Sequence, residues 1–519
     1  MSAVVLALLP GAPLLAAVLL VLGRVGRRAA ALTATTVAAG VLLLAVGLVA
    51  VSRPWATSGD VATLDVAWIG ALGVRLHLGL DGIGAPLVLL TSALTLLVCA
   101  YLWAGDDGDP GPGAHPGLLA CVLLVEAGAV ATFTARDLVV FFVAFEVVLV
   151  PMWFVVARFG DDASRPTRAV VALRPDAPRG PAARADAASR FVLYTALGSA
   201  VMLLGIVLLA VRTGTTDLVV LARLGPELDT ATQVAVAALL LAGLAVKVPV
   251  WPLHTWLPAA HTIAPTVGSV LLAGVLLKLG SYGMVRLVLG LVPAGLERLA
   301  PALAVLGLVG IVWGSLACVA EHDLKRLVAF SSVAHMGFVV VGIASMTPQG
   351  VQGALFANVA HGVVTGLLFL VVGMLKHRHH TADLAELGSG LRDRAPRLGW
   401  LLALGCAAGL GLPGLAGFWG ELLAVLGAWE GGAALGALAR PVAVAAAVGT
   451  VLAAVYLLRV LYLVWHGPRS GGPALPDART VELATAVPLA VATVALGLLP
   501  WLLLSVTAPA VRLLLGSGS

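Results

Sequence analysis

Six ionisable side chains stand inside otherwise apolar stretches of the sequence. Glu146 lies in Phe141-Phe-Val-Ala-Phe-Glu146-Val-Val-Leu-Val-Pro151, Lys247 in Leu-Ala-Val-Lys247-Val-Pro, and Lys278 in Val-Leu-Leu-Lys278-Leu-Gly. His335 follows Ser331-Ser332-Val-Ala, His361 follows Asn358-Val-Ala, and Glu421 follows Gly417-Phe-Trp-Gly. A charge at the centre of a bilayer costs at least about 2.5 to 3.5 kcal/mol, so an ionisable group kept there is a functional candidate. In chain order the six supply an acid, two lysines, two histidines and an acid, all types that can take up and release a proton. Lysine usage sharpens the point. The chain has 27 Arg and four Lys, so it writes Arg wherever a fixed positive charge serves. Arg does not deprotonate in proteins, whereas a desolvated Lys does. A carboxylate 4 Å from Lys247 would favour its charged form by about 4 kcal/mol at an effective dielectric of 20. Glu146 is the candidate partner, and moving it away would let the lysine discharge.

The histidines have polar company at helical spacing. Ser331 and Ser332 precede His335 by four and three residues, and Asn358 and Thr365 flank His361 at minus three and plus four. Each imidazole therefore lies on a stripe that can hold water. Either histidine alone is more often a packing residue; with Lys278 and Glu421 they read as stations of a relay. Glu126 either joins that relay or pairs with a neighbour, and Arg459 snorkels or pairs. His254 and His261 read as interfacial more readily than as proton-uptake groups, and Lys325 with Arg326 as loop charges that set orientation. The cluster Lys376-His-Arg-His-His380 reads as the solvated end of a helix rather than a metal tract. Cys99, Cys121, Cys318 and Cys406 are isolated packing residues. Trp153, Trp251, Trp256, Trp465 and Trp501 fit an interfacial belt. No phosphate loop, dinucleotide fingerprint or iron–sulfur cysteine set is present.

The elements that hold these residues are helices in lipid. Only 11% of the 519 residues are charged, against about 25% in ordinary soluble proteins, and mean hydropathy is +1.05. This excludes a soluble globular fold and predicts an all-α polytopic membrane protein. With about 20 apolar residues per span, fourteen spans are expected near 2–22, 29–51, 82–104, 117–134, 138–157, 191–211, 233–250, 265–290, 299–319, 327–346, 351–375, 399–428, 440–465 and 483–507. With both termini outside, inner loops carry 19 Lys/Arg and outer loops 9, which sets the orientation. The Arg158 to Arg190 connection reads as a solvated, partly disordered loop. Two spans are interrupted, the seventh at Lys247-Val-Pro249-Val-Trp-Pro252 and the twelfth at Gly411-Leu-Pro413-Gly414. They lie five apart, so 117–290 and 299–465 read as two inverted five-helix repeats, a pattern tied to ion translocation near the midplane. Residues 1–116 precede them and 466–519 follow with the last span.

Four segments carry a family resemblance: Lys247-Val-Pro-Val-Trp-Pro-Leu-His-Thr-Trp-Leu-Pro-Ala-Ala-His261, Ala264-Pro-Thr-Val-Gly-Ser269, Asp323-Leu-Lys-Arg-Leu-Val-Ala-Phe-Ser-Ser-Val-Ala-His-Met-Gly337, and Gly411-Leu-Pro-Gly-Leu-Ala-Gly-Phe-Trp-Gly-Glu421. With Leu80-Asp81-Gly82-Ile83, they resemble the antiporter-like membrane subunits of respiratory complex I, from about Leu78 to Trp465. Two features favour the M type of that family. Glu421 stands where L and N types and the D subunit of sodium/proton antiporters usually have Lys, and only about a dozen residues follow the last expected span. The resemblance implies a proton relay of Glu146, Lys247, Lys278, His335, His361 and Glu421, and a place beside L-like and N-like chains in a bacterial inner (plasma) membrane. It also implies NADH, FMN, iron–sulfur clusters and quinone in other subunits, with no cofactor or metal bound by this chain. The loop beyond Asp161 is longer than the family's usual link, Arg190 replaces a common Lys, and Lys376 stands where an aromatic residue is common. A D-type antiporter subunit, an energy-converting hydrogenase subunit and a passive spacer of the membrane arm are the alternatives.

Overall fold

A computed structural model describes residues 2–23, 25–103, 114–161, 180–467 and 475–516. The acidic segment 105–113, Arg24 and most of the long loop, 162–179, lie outside the described residues. Among the described residues thirteen helices are long and apolar enough to cross a membrane. They are α1 (Ser2–Leu22), α2 (Arg27–Ser52), α3 (Gly84–Trp103), α4 (Pro116–Thr134), α5 (Leu138–Phe159), α6 (Pro181–Thr213), α7 (Thr230–Lys247), α9 (Thr266–Leu289), α10 (Pro293–Ala320), α11 (Leu324–Ala344), α12 (Pro348–His379), α15 (Gly432–Trp465) and α16 (Thr480–Leu498). A fourteenth span is split into α13 (Pro396–Gly409) and α14 (Ala416–Glu430). After α7 the chain breaks and resumes as α8 (Trp256–Ile263). Both interruptions fall at the proline- and glycine-containing segments, where a missing N–H and a left-handed Gly411 (φ 76°) end the helical ladder.

Three elements depart from expectation. The helix α6 begins ten residues before 191, inside the segment read as a loop: Pro181 stands in its first turn, the following residues are mostly Ala, and Arg190 pairs with Asp186 at 3.0 Å one turn away. The last expected span, 483–507, ends at Leu498, and a shorter helix, α17 (Trp501–Leu514), follows Pro500. Between α2 and α3 the chain forms an antiparallel hairpin, β1 (Ala62–Ile69) with β2 (Val74–Leu80), that packs on α1. Its alternation of Leu, Val and Trp with polar residues is a strand signal, too short to register against a ruler built for spans.

Enclosure is uneven. Of the most apolar windows, 94% of α9, 89% of α11 and 94% of α12 are buried, against 33% of α1 and 28% of α2. The three helices that carry Lys278, His335 and His361 are thus sheathed by protein, and the outer helices present Leu and Val outward. The ends are tied by matching devices. Asp137 caps α5, and the backbone beside it exchanges hydrogen bonds with the Thr216–Leu218 segment: Leu138 N–H to the Thr216 carbonyl and Leu218 N–H to the Arg136 carbonyl, both 2.8 Å. Asp323 caps α11, and there Leu324 N–H bonds the Ala382 carbonyl at 2.8 Å and Leu384 N–H the His322 carbonyl at 2.9 Å.

Candidate functional site

At Glu146, α5 is locally disturbed: helical bonding lapses at Val148, three residues before Pro151, which lacks an N–H to give. The partly exposed Glu146 carboxylate accepts a hydrogen bond from Ser199 on α6. Lys247 ends α7, 1% exposed, with its ammonium 4.4 Å from the centre of the Phe145 ring and no hydrogen-bond partner among the described residues. The expected Glu146–Lys247 pair is therefore not closed: Ser199 holds the acid, and an aromatic face receives the lysine.

Lys278 is joined to its neighbours. On either side of it α9 is wound as π-helix, at Leu272–Leu276 and Met284–Leu289, a local widening common at functional positions. The Lys278 Nζ donates to the Ala273 carbonyl and lies 2.7 Å from His361 Nδ1 on α12. That approach needs two glycines. A Cβ on Gly362 would stand 2.6 Å from Leu90 and one on Gly274 2.4 Å from Leu94, both on α3. Beside this contact Ser281 donates to the Asn358 side chain at 2.8 Å and Thr365 donates to the His361 carbonyl.

From His361 the string continues to His335, ring centres 6.1 Å apart, and His335 Nδ1 lies 3.1 Å from Glu421 Oε1 on α14. A cavity of about 30 Å³ joins these groups, room for about two water molecules. Ser331, His335, His361, Thr365 and Glu421 supply its polar lining. Such waters would bridge the imidazoles, between which no direct hydrogen bond is seen among the described residues. Glu421 Oε2 has no hydrogen-bond partner among the described residues and faces Gly411, where an added Cβ would come within 3.0 Å. Four of the six expected residues are thus brought together, with Lys278, His361, His335 and Glu421 in sequence; Glu146 and Lys247 form a separate group.

Several residues read as bland prove otherwise. Lys325 is not a solvated loop charge: it is 3% exposed and its ammonium donates to the Ala264 carbonyl where α8 ends. His261 is fully buried rather than interfacial, its ring stacked on Phe369 with centres 4.6 Å apart and neither nitrogen partnered among the described residues. His254 is 4% exposed and also internal. Trp256 leaves the expected belt: it is buried, and its indole donates to the Val246 carbonyl at the α7 break. The Lys376–His380 cluster is not simply a solvated helix end, because Lys376 pairs with Asp161 at 2.8 Å and Arg378 with Glu482. The rarity of lysine was the available signal, since all four lysines take internal or paired positions. Arg459 donates to the Val319 and Glu321 carbonyls at the end of α10. Among the described residues no group of three His, Cys, Asp or Glu side chains is arranged to hold a metal.

At the opposite end, Asp81 joins Arg286 and Arg136, and Arg136 also binds Asp60. Burial alone would raise the Asp81 pKa, but the two guanidinium charges and the Gly84 N–H overcome it and hold the carboxyl well below the usual carboxylate range.

A many-spanning helical membrane protein with two interrupted helices and an internal string of Lys, His and Glu defines the antiporter-like class of membrane subunits. The chain belongs to the NADH:quinone oxidoreductase/Mrp antiporter transmembrane family, whose profile matches residues 179–448. It is 37% identical over 494 residues to NADH-quinone oxidoreductase subunit M of Rhodobacter capsulatus, covering 93% of this chain and 89% of the relative. It is 38% identical over 440 residues to NAD(P)H-quinone oxidoreductase chain 4 1 of Synechococcus sp. (strain JA-3-3Ab), covering 84% and 78%. Its fold superimposes on a chain of respiratory complex I from Thermus thermophilus with bound NADH, with a TM-score of 0.82, 28% identity and coverage of 99% and 100%. A chain of the Mrp complex from Dietzia sp. DQ12-45-1b gives a TM-score of 0.82 at 25% identity, covering 99% and 98%.

Proposed function

We propose that the chain is the M-type, proton-translocating subunit of the membrane arm of an NADH-quinone oxidoreductase. Electron transfer would then occur in other subunits that hold NADH, FMN, iron–sulfur clusters and quinone, with L-like and N-like chains beside this one. The observation that carries the reading is the continuous buried string Lys278, His361, His335 and Glu421, with contacts of 2.7 and 3.1 Å at its ends and a water-sized cavity along it. In this reading a proton on Lys278 passes to His361, crosses bridging water to His335, and leaves by way of Glu421. Each transfer occurs between groups already within hydrogen-bond reach or one water apart. Lys247 supplies the charge that gates uptake: when Glu146 leaves Ser199 for Lys247 the lysine holds its proton, and when it returns the lysine releases it.

Placing the two termini on the outer side puts Asp161, Lys325 and Lys376 at the inner end, where protons enter. The division into repeats 117–290 and 299–465 is supported by the two interrupted helices and by the reciprocal backbone bonds that recur at Asp137 with Asp217 and at Asp323 with Asp383.

The test is Glu146→Ala and Lys247→Ala in the assembled complex, each expected to abolish or severely reduce proton pumping coupled to NADH oxidation. Wild-type pumping in both variants sinks the gating role. An antiporter subunit is the second reading, favoured by the equal superposition on the Dietzia chain. Mass spectrometry of the native complex decides between them: nucleotide- and iron–sulfur-binding companions support the oxidoreductase, and only small membrane chains support the antiporter.

A further inference from the structure

One buried acid takes no part in this string. Glu126 sits midway along α4 with 0% exposure, and neither carboxylate oxygen has a hydrogen-bond partner among the described residues. Ser92 and Cys99 of α3 approach it, Thr95 stands on the same side of that helix, and all three are fully buried. The Ser92 and Thr95 hydroxyls are likewise unpartnered. Ser92 lies beside the carboxyl without closing a hydrogen bond, and the Cys99 thiol is within electrostatic reach. Three polar side chains with open hydrogen-bonding capacity, gathered at one depth in an apolar interior, are costly unless they serve a ligand.

The charged groups on the neighbouring elements are committed elsewhere. The helix α1 has no titratable side chain, and the basic residues of α2 stand in its first turn. On α5 Glu146 is bonded to Ser199, and on α9 Lys278 is turned to His361 and Tyr282 donates to the Phe133 carbonyl. On β2, Arg75 pairs with Asp65 and His77 with Asp217. Arg286 on α9 pairs with Asp81. Among the described residues no cation is paired with Glu126, and an ionised carboxylate in such surroundings costs far more than the neutral acid.

Its position relative to the string is defined by α3. Leu90 and Leu94 of α3 press on Gly362 and Gly274, the glycines that bring Lys278 to His361. At 100° per residue, Ser92, Thr95 and Cys99 fall on the opposite side of the same helix. We propose that Glu126, with Ser92 and Thr95, is a proton-binding site separate from the Lys278–Glu421 string, with α3 standing between the two. Its ligand is a single proton, carried as the carboxylic acid and free to be donated to either hydroxyl.

Infrared difference spectroscopy on the purified native complex, wild type against Glu126→Gln, tests this directly. Gln keeps the neutral shape of the acid, so the complex assembles. The carbonyl stretch of a protonated carboxylic acid is expected in the wild type at neutral pH and is lost in the variant. In deuterated water that band shifts while the buried amides of α3 and α4 stay unexchanged, because the site is in contact with protons without helix opening. Absence of the band overturns the proposal. So does a band that does not move in deuterated water, which marks a static buried acid, and so does a carboxylate band that responds to sodium, which marks a cation site. None of these readings depends on pumping, so the result stands apart from that of the Glu146 and Lys247 variants.

Discussion

Two regions of the molecule hold the candidate transport residues, and they are built in opposite ways. Around Glu146 and Lys247 the ion-pair partners are present but apart, the acid on Ser199 and the lysine over Phe145. Around Lys278 the groups are already joined, to His361 at 2.7 Å and from His335 to Glu421 at 3.1 Å. The first region sits where α5 is disturbed and α7 ends. The second sits on α9, α11 and α12, the most enclosed helices of the molecule. A gate needs two alternative arrangements, whereas a conduit needs one arrangement held still. In the proposed function these requirements fall in different places.

Breaking the conduit should have the largest effect. Lys278→Ala removes the central amine and should lower coupled proton translocation by about tenfold or more, corresponding to about 1.4 kcal/mol or more in the limiting barrier, as measured by proton uptake in proteoliposomes. Retention of full pumping would show that the string is not the route. Gly362→Val should act through packing: its Cβ would meet Leu90 at 2.6 Å, an overpacking of about 1 to 3 kcal/mol. Thermal unfolding should shift down, and pumping should fall because Lys278 and His361 are parted. Equal melting temperatures for variant and wild type would show that α3 yields freely.

At the gate the smaller change is the more informative one. Ser199→Ala frees Glu146 for Lys247, so electron transfer should persist while pumping slows only severalfold, and a double variant with Glu146→Gln should show no further loss from the serine change. Additive losses would mean that Ser199 does not act through Glu146.

The smallest effect concerns the ion cluster at the other end. Because the Asp81 carboxyl is held below its unfolded value, its contribution to stability is complete above about pH 3.9 and is lost only as the pH falls through the lower folded-state value. The melting temperature attributable to this group should be flat from pH 5 to 9. Arg286→Ala should move the Asp81 transition upward, because one of its two guanidinium partners is lost; a transition unchanged by the variant would mean that Arg136 alone sets it.

Much of the architecture is legible in the sequence. Apolar length gave the spans, and Pro249, Pro252, Gly411 and Pro413 marked both interruptions, because a missing N–H or a left-handed residue ends a helix wherever it falls. The hairpin escaped because its alternation runs for only a few residues. The first ten residues of α6 escaped because their charge suggested solvent, while their Ala content favoured helix. A repeated local sign was also present: Asp137-Leu138 with Asp217-Leu218, and Asp323-Leu324 with Asp383-Leu384, head the segments that bond reciprocally.

The sequence by itself determined that this is a many-spanning membrane protein of the antiporter-like family and that six ionisable residues stand inside apolar stretches, because both follow from residue type and local spacing. Only the tertiary structure decided which of those residues meet. Lys278 reaches His361 across 83 positions of chain, and that contact depends on π-wound turns and on two glycines facing leucines of a third helix. Lys325 and His261 became internal, and Glu126 was left without a hydrogen-bond partner among the described residues, for the same reason. Burial of a single side chain is set by the helices around it, and the composition of its own helix does not record where those helices pack.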